Sequence, residues 1–185
     1  MNGEQKINLP SSVISPPSSG IRHLIFWPIF VGGLAFDLWT KSAIFAWLGN
    51  VDGNCLTIID GFLRFQLTEN PGAAFGIAGG QRTLLVSISV IALVVILALF
   101  MFSLRERKIF ILALSLFAAG VAGNLYDRAF NHGLVRDFID IVYWPGKHWP
   151  AFNVADAMLC SAVGLLIISS LLSPKSCQKP AHPQK

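Results

Sequence analysis

The stretch GNLYDRAFNHGLVRDFIDIVYWPGKHWPAFNVAD, residues 123–156, decides how the chain reads. It sets Asn124, Asp127, Arg128, Asp137, Asn153 and Asp156 against the ends of two long apolar segments. Ionisable side chains in that position are costly unless they are paired or used, so the cluster is a candidate site. Each residue alone has a plainer account, as a helix cap or a marker of the solvent boundary. As a set they crowd one end of whatever the apolar segments build.

Working outward, the 185 residues are 54% hydrophobic and 13% charged, with a mean hydropathy of +0.60. That is too apolar for an ordinary soluble domain. A crossing helix needs about 20 apolar residues, and four such runs are present, at about 22–47, 83–104, 109–130 and 153–172. The expectation is an all-α membrane protein of four transmembrane helices forming one domain over 21–173. Residues 1–20, rich in Ser and Pro, read as a disordered cytoplasmic tail, and 174–185 as a basic cytoplasmic tail.

In the first span Pro28 and Gly32-Gly33 are tolerable where neighbouring helices satisfy the backbone and pack closely. Asp37 and Lys41 fall at i and i+4 on one face. Two readings stay open for them: an interfacial ion pair with Lys41 snorkelling outward, or a functional pair inside the apolar run. The second span has only Thr83, Ser87, Ser89 and Ser103 as polar residues and reads as scaffold.

Between spans one and two, FLRFQLT alternates Leu63, Phe65 and Leu67 with Arg64, Gln66 and Thr68, the period of a strand. Asp60-Gly61 is a two-residue turn signal, so CLTII and FLRFQLT are expected to form an amphipathic hairpin lying on the membrane surface. Asn70 and Gly72 suit a tight turn, and Phe75 an interfacial anchor. LVRDFIDIVY reads as a further extended segment, and Tyr143, Trp144, Trp149 and Pro150 as an interfacial belt. Arg22, the RERK connection at 105–108 and the lysines of the final tail share one side, which makes that side cytoplasmic and puts the hairpin and Asp137 outside.

The net charge of +4 has no aromatic-interleaved basic face behind it, so no nucleic acid is expected. Cys55, Cys160 and Cys177 share no ligand spacing, His23, His132, His148 and His182 are scattered, and no H-E-x-x-H occurs, so neither a metal nor a cofactor is expected. Fewer than 20 residues separate Asp137 from Asp156, which lets the two meet. Two carboxylates in a low-dielectric site cannot both ionise, and the pair then holds one proton near neutrality. Such a pair activates water and protonates a carbonyl without Ser, Cys or metal. Asn124 and Arg128 lie one turn apart beside it, with Asp127 expected to orient Arg128 and the helix end, while Asn153 caps the last span. A small ion or proton transporter using the membrane aspartates, and a non-catalytic lipid-binding scaffold, are the alternatives.

Five blocks in order, DLWTK from Asp37, NPGAAF from Asn70, GNLYDR from Gly123, VRDF around Asp137 and FNVAD ending at Asp156, make the chain resemble the bacterial lipoprotein signal peptidase family, also called signal peptidase II. The resemblance covers nearly all of residues 22–172. It implies a four-helix membrane aspartyl endopeptidase of the bacterial inner membrane with a small outer β-element. Its implied partners are membrane lipids and diacylglyceryl-modified prolipoproteins, cut on the amino side of the lipidated cysteine. It implies Asp137 and Asp156 as the catalytic pair, Asn124, Arg128 and Asn153 as the polar shell, and Asp37, Lys41, Asn70 and Gly72 as supporting and substrate-contacting positions. Arg136 departs from the family pattern, which commonly has an apolar residue there.

Overall fold

The computed structural model describes residues 19–72, 80–102 and 107–171. Within them the order is α1 (Ser19–Leu48), β1 (Cys55–Ile59), β2 (Leu63–Asn70), α2 (Arg82–Phe102), α3 (Lys108–Phe130), β3 (Val135–Trp144), β4 (Lys147–His148) and α4 (Val154–Leu171). All four described helices are long and apolar enough to cross a membrane. α1 begins at Ser19, so two residues read as tail are helical. The rest of that tail, the Phe75 anchor, Arg105 and Glu106 of the RERK connection and the final basic tail lie outside the described residues.

α3 is the helix the others pack on, and small residues make this possible. Its buried positions include Ala113, Ala118, Ala119, Gly120 and Gly123. A Cβ at Gly120 would stand 2.6 Å from the Ala155 carbonyl oxygen of α4, and one at Gly33 would stand 3.1 Å from Ala119 Cβ. At Gly123 a Cβ would collide with the Asp37 carboxylate. Backbones that approach this closely gain dispersion contact that lipid tails cannot match, which is what holds helices together where water supplies no hydrophobic drive. Away from the polar cluster the core is ordinary apolar packing, with Phe26 stacked on Phe100 at 3.9 Å between centroids and Ile96, Ile111 and Leu114 around them.

The extended segments form more than a hairpin: β1 to β4 make one antiparallel sheet in sequence order. The β1–β2 connection is three residues, Asp60, Gly61 and Phe62, rather than two, with Gly61 at φ 71° and Phe62 N–H donating to the Ile59 carbonyl at 3.0 Å. Register places Leu56, Phe65 and Ile139 in one cross-strand row and Ile59, Leu63 and Ile141 in another, while Thr57, Arg64 and Asp140 form a row on the opposite face. The sheet is therefore amphipathic across three strands. On its polar face Arg64 Nε donates to Asp140 at 2.9 Å, and this bond holds the guanidinium above its ordinary pKa. His148 Nδ1 lies 3.0 Å from the same carboxylate and fastens β4.

One carbonyl couples the sheet to the bundle. Phe152 O accepts from Phe138 N–H at 3.1 Å and Ile139 N–H at 2.9 Å, and Phe152 N–H donates to Ile139 O at 3.1 Å. The residue before Asn153 is thereby pinned to the residues after Asp137.

Gly120→Ala places its new methyl against backbone, which cannot swing aside, so a loss of about 1–3 kcal/mol is expected. Thermal unfolding in detergent checks this. Gly32→Ala, which meets nothing within 4 Å, is the control and leaves the midpoint unchanged or slightly higher.

Candidate active site

The last described helix begins with reciprocal capping. Asn153 Oδ1 accepts from Asp156 N–H at 3.0 Å, and Asp156 Oδ2 accepts from Asn153 N–H at 3.2 Å. This box satisfies two of the amide donors a helix start leaves open. It also fixes the Asp156 rotamer. The Asn153 amide nitrogen then reaches out of the cap and donates to Asp137 Oδ1 at 2.6 Å. A single residue therefore holds both carboxylates, through its main chain on one side and its side chain on the other.

Asn124, in the penultimate turn of α3, completes the frame. Its Nδ2 donates to Asp156 Oδ1 at 2.8 Å, and its Oδ1 accepts from Lys41 Nζ at 2.9 Å and Asn153 Nδ2 at 3.1 Å. Asn70, at the end of β2, donates Nδ2 to Asp137 Oδ2 at 3.1 Å and accepts from Gly72 N–H at 2.9 Å, the tight turn read from sequence. Each aspartate is thus gripped at both oxygens by amide donors. Asp137 is 1% exposed and Asn153 is fully buried.

Behind the pair, Asp37 and Lys41 are both fully buried, so the outward-snorkelling reading of Lys41 does not hold. The ammonium lies 2.8 Å from Asp37 Oδ2 and 3.2 Å from Asp127 Oδ2, which with the Asn124 hydrogen bond gives it three partners. Asn124 takes its hydrogen bond and the two carboxylates offset its charge, which is what burying a lysine requires. Asp37 Oδ1 accepts from Ala155 N–H at 2.8 Å, so a carboxylate of α1 caps α4. This explains Gly123, whose missing side chain leaves room for Asp37.

Arg128 donates NH2 to the Gly72 carbonyl at 2.9 Å and NH1 to the Asn124 carbonyl at 3.4 Å, tying the β2 exit to α3. Asp127 does not orient Arg128, contrary to the sequence expectation. One residue along, it turns to the other side of α3, where it meets Lys41 and Arg136. The clue available in the sequence was an Asp and an Arg bracketing the Gly133 turn. The Phe152 carbonyl, by contrast, left no mark in residue types.

The pair opens into a groove of about 850 Å³ whose walls include Trp149, Pro150, Phe152, Leu159 and Cys160. Burial pushes the Asp137 carboxyl up to about 7, with the neighbouring Asp156 charge adding to the shift against the Asn70 and Asn153 hydrogen bonds and Lys41. The buried cluster contains the carboxylates of Asp37, Asp127, Asp137 and Asp156 and the cations of Lys41, Arg128 and Arg136. One proton on the pair makes it neutral.

The fold and site define a multi-pass membrane protein with an aspartate pair opening into an apolar groove. Residues 29–172 match the family model of signal peptidase (SPase) II, and the chain belongs to that family. The lipoprotein signal peptidase of Rhodopirellula baltica is 35% identical over 165 residues, spanning 80% of this chain and 72% of the relative. That of Geobacter sulfurreducens is 35% identical over 152 residues, spanning 80% and 92%. Among solved structures, a bacterial membrane enzyme determined by the in meso method at 2.3 Å resolution superposes with a TM-score of 0.71 at 34% identity, covering 89% of this chain and 95% of that one. The chain is a bacterial inner-membrane peptidase with several membrane spans.

The raised Asp137 carboxyl has a consequence for stability. Below its ordinary value of 3.8 it is protonated in both folded and unfolded chains, but between there and about 7 only the folded protein keeps the proton. This group's contribution to stability therefore falls as pH rises through that window. Thermal unfolding of Asp137→Asn beside the parent should show the variant gaining relative stability from pH 4 to pH 7.

Proposed function

We propose that this peptidase cuts with Asp137 and Asp156 as an aspartyl pair and removes the signal peptide from diacylglyceryl-modified prolipoproteins on the amino side of the lipidated cysteine. The observation that carries the reading is the double hold of Asn153, which donates to Asp137 at 2.6 Å from its side chain and to Asp156 at 3.2 Å from its main chain. Two carboxylates held by a common residue at the mouth of an apolar groove share a proton near neutrality. Asp137, raised to about 7, is the member that carries it.

Water entering from outside the membrane gives a proton to Asp156 as its oxygen attacks the scissile carbonyl. Asp137 donates its proton to the carbonyl oxygen, which relieves the charge building there. The tetrahedral intermediate collapses as the C–N bond breaks: the leaving amine takes the proton from Asp156, and the hydroxyl proton returns to Asp137 as the carbonyl re-forms, which restores the one-proton pair. Arg128 Nε, buried without a hydrogen-bond partner among the described residues, is a donor left for the substrate. Asn70 and the Gly72 carbonyl mark where the peptide passes, because both lie beside Asp137 and Arg128.

The apolar wall from Trp149 to Cys160 suits a substrate arriving in the bilayer plane with acyl chains attached. A transporter would need polar groups through the depth of the spans, whereas the described α2 offers none beyond Thr83, Ser87 and Ser89 after Arg82. A non-catalytic scaffold has no use for two aspartates held together. The pair faces outside with both termini cytoplasmic, on the strength of the basic connection and tail.

Asp137→Asn and Asp156→Asn should each remove turnover of a lipidated prolipoprotein while leaving substrate binding intact, and the double variant should lose little more. General acid-base steps alone supply roughly 10²–10⁴ in rate, so near-normal cleavage by either single variant refutes the mechanism. Sequencing the mature product gives the position of the cut.

Orientation is checked on a Cys160→Ser, Cys177→Ser variant, in which Cys55 is the remaining thiol. An impermeant thiol reagent should label it from the outer face of oriented membranes and not from the cytoplasmic face.

A further inference from the structure

Asp127 is fully buried and takes hold of the residue immediately before Asp137. Its Oδ2 accepts from the Arg136 backbone N–H at 3.1 Å, and its Oδ1 accepts from Arg136 Nε at 3.1 Å and NH2 at 2.7 Å. Oδ2 also faces Lys41 at 3.2 Å. The same carboxylate thus joins α1, the end of α3 and the start of β3. On the far side of Asp137, Phe138 and Ile139 are held by the Phe152 carbonyl. Asp137 stands between these two anchors, one peptide unit from the first.

Charge argues the same way. Asp37 and Asp127 both depend on the Lys41 ammonium, and two carboxylates sharing one buried cation leave an excess negative charge. Arg136, whose guanidinium is mostly buried against Asp127, removes that excess. Its NH1 reaches Ser42 Oγ of α1 at 3.3 Å, so the guanidinium also bridges back to the first helix. Without Arg136, Lys41 would be drawn between two unbalanced carboxylates, and Lys41 is also what holds Asn124.

We propose that Arg136 and Asp127 are positioning residues for the cleavage reaction: their ion pair and the main-chain bond beside it set the place of Asp137 relative to Asp156. The proposal rests on the aspartyl reading of that pair. Neither residue touches the groove's reacting atoms; Arg136 acts through the strand and Asp127 through Arg136 and Lys41. Misplacement of a reacting group by about 1 Å costs about a hundredfold in rate without weakening substrate binding. Loss of the pair should therefore appear in kcat rather than in KM.

The test uses the full chain in lipid or detergent with a lipidated prolipoprotein, comparing Arg136→Met, Arg136→Lys, Asp127→Asn and Asp137→Asn. Arg136→Met should lower kcat per folded enzyme about 10- to 100-fold, with KM within about twofold, alongside a lower thermal midpoint because Asp127 stays buried. Arg136→Lys, which restores the ion pair but not the two-nitrogen grip, should recover part of the loss. Asp127→Asn should lose at least as much as Arg136→Met. Parent-like kcat in Arg136→Met, or a loss confined to KM or to the folded fraction, overturns the proposal. Should Arg136→Met fail to accumulate, Arg136→Lys decides alone: a reduced kcat at parent KM supports positioning, and parent kcat overturns it. An inactive Asp137→Asn with a normal Arg136→Met defeats only the positioning role, whereas an active Asp137→Asn defeats the aspartyl reading itself.

Discussion

A lysine ammonium removed from water needs its charge offset, and the structure depends on how Lys41 meets that demand. Its three partners are Asp37 on its own helix and Asp127 and Asn124 on α3. Leaving such a charge unpaired costs several kcal/mol, so the positions of α1 and α3 are specified by charge as well as by packing. Asp37 passes the constraint on by capping α4 at Ala155. Three helices are fixed to one another at the end where Asp137 and Asp156 sit, and a network with this many directed bonds has few alternative arrangements.

The small residues of α3 are the steric counterpart of this network. Gly120 and Gly123 let α4 and Asp37 come within contact of the α3 backbone, and a polar network of short side chains works only across so short a distance. Larger residues would open a gap that Asn124 cannot span. The apolar packing of Phe26, Phe100, Ile96 and Ile111 away from the site tolerates bulk because it carries no directional bonds. Precision is concentrated at one end of the bundle.

The sheet contributes the other half of the site by a different route. Its amphipathic rows leave Leu56, Phe65, Ile139, Leu63 and Ile141 on one face and the Arg64, Asp140 and His148 cluster on the polar one. The polar groups are matched among themselves, which keeps β3 paired with β2 and β4 while its first residues are fixed by Asp127 and Phe152. Asp137 is therefore delivered by a stiff strand rather than by a loop. Reacting groups are held best on rigid elements, and a carboxylate raised by burial keeps its proton only while that burial persists.

The sequence by itself determined the four apolar spans, the strand character of FLRFQLT and VRDFIDIVY, and the capping role of Asn153, because hydropathy, period and cap chemistry are local properties. It also marked Asp137 and Asp156 as a pair, since ionisable groups beside apolar runs stand out and the intervening loop is short. The partner of Asp127 depended on which side of α3 each residue faces, and the sequence expectation placed it beside Arg128 when the fold turns it to Lys41 and Arg136. The fate of Lys41 was open in the same way, since an i,i+4 pair reads alike whether the helix face meets lipid headgroups or another helix. Only tertiary structure decided that β3 joins β2, that the β1–β2 turn takes a third residue and that the Phe152 carbonyl fastens the strand to α4. Those are long-range backbone hydrogen bonds, and every residue carries the same backbone groups, so residue type leaves them unwritten.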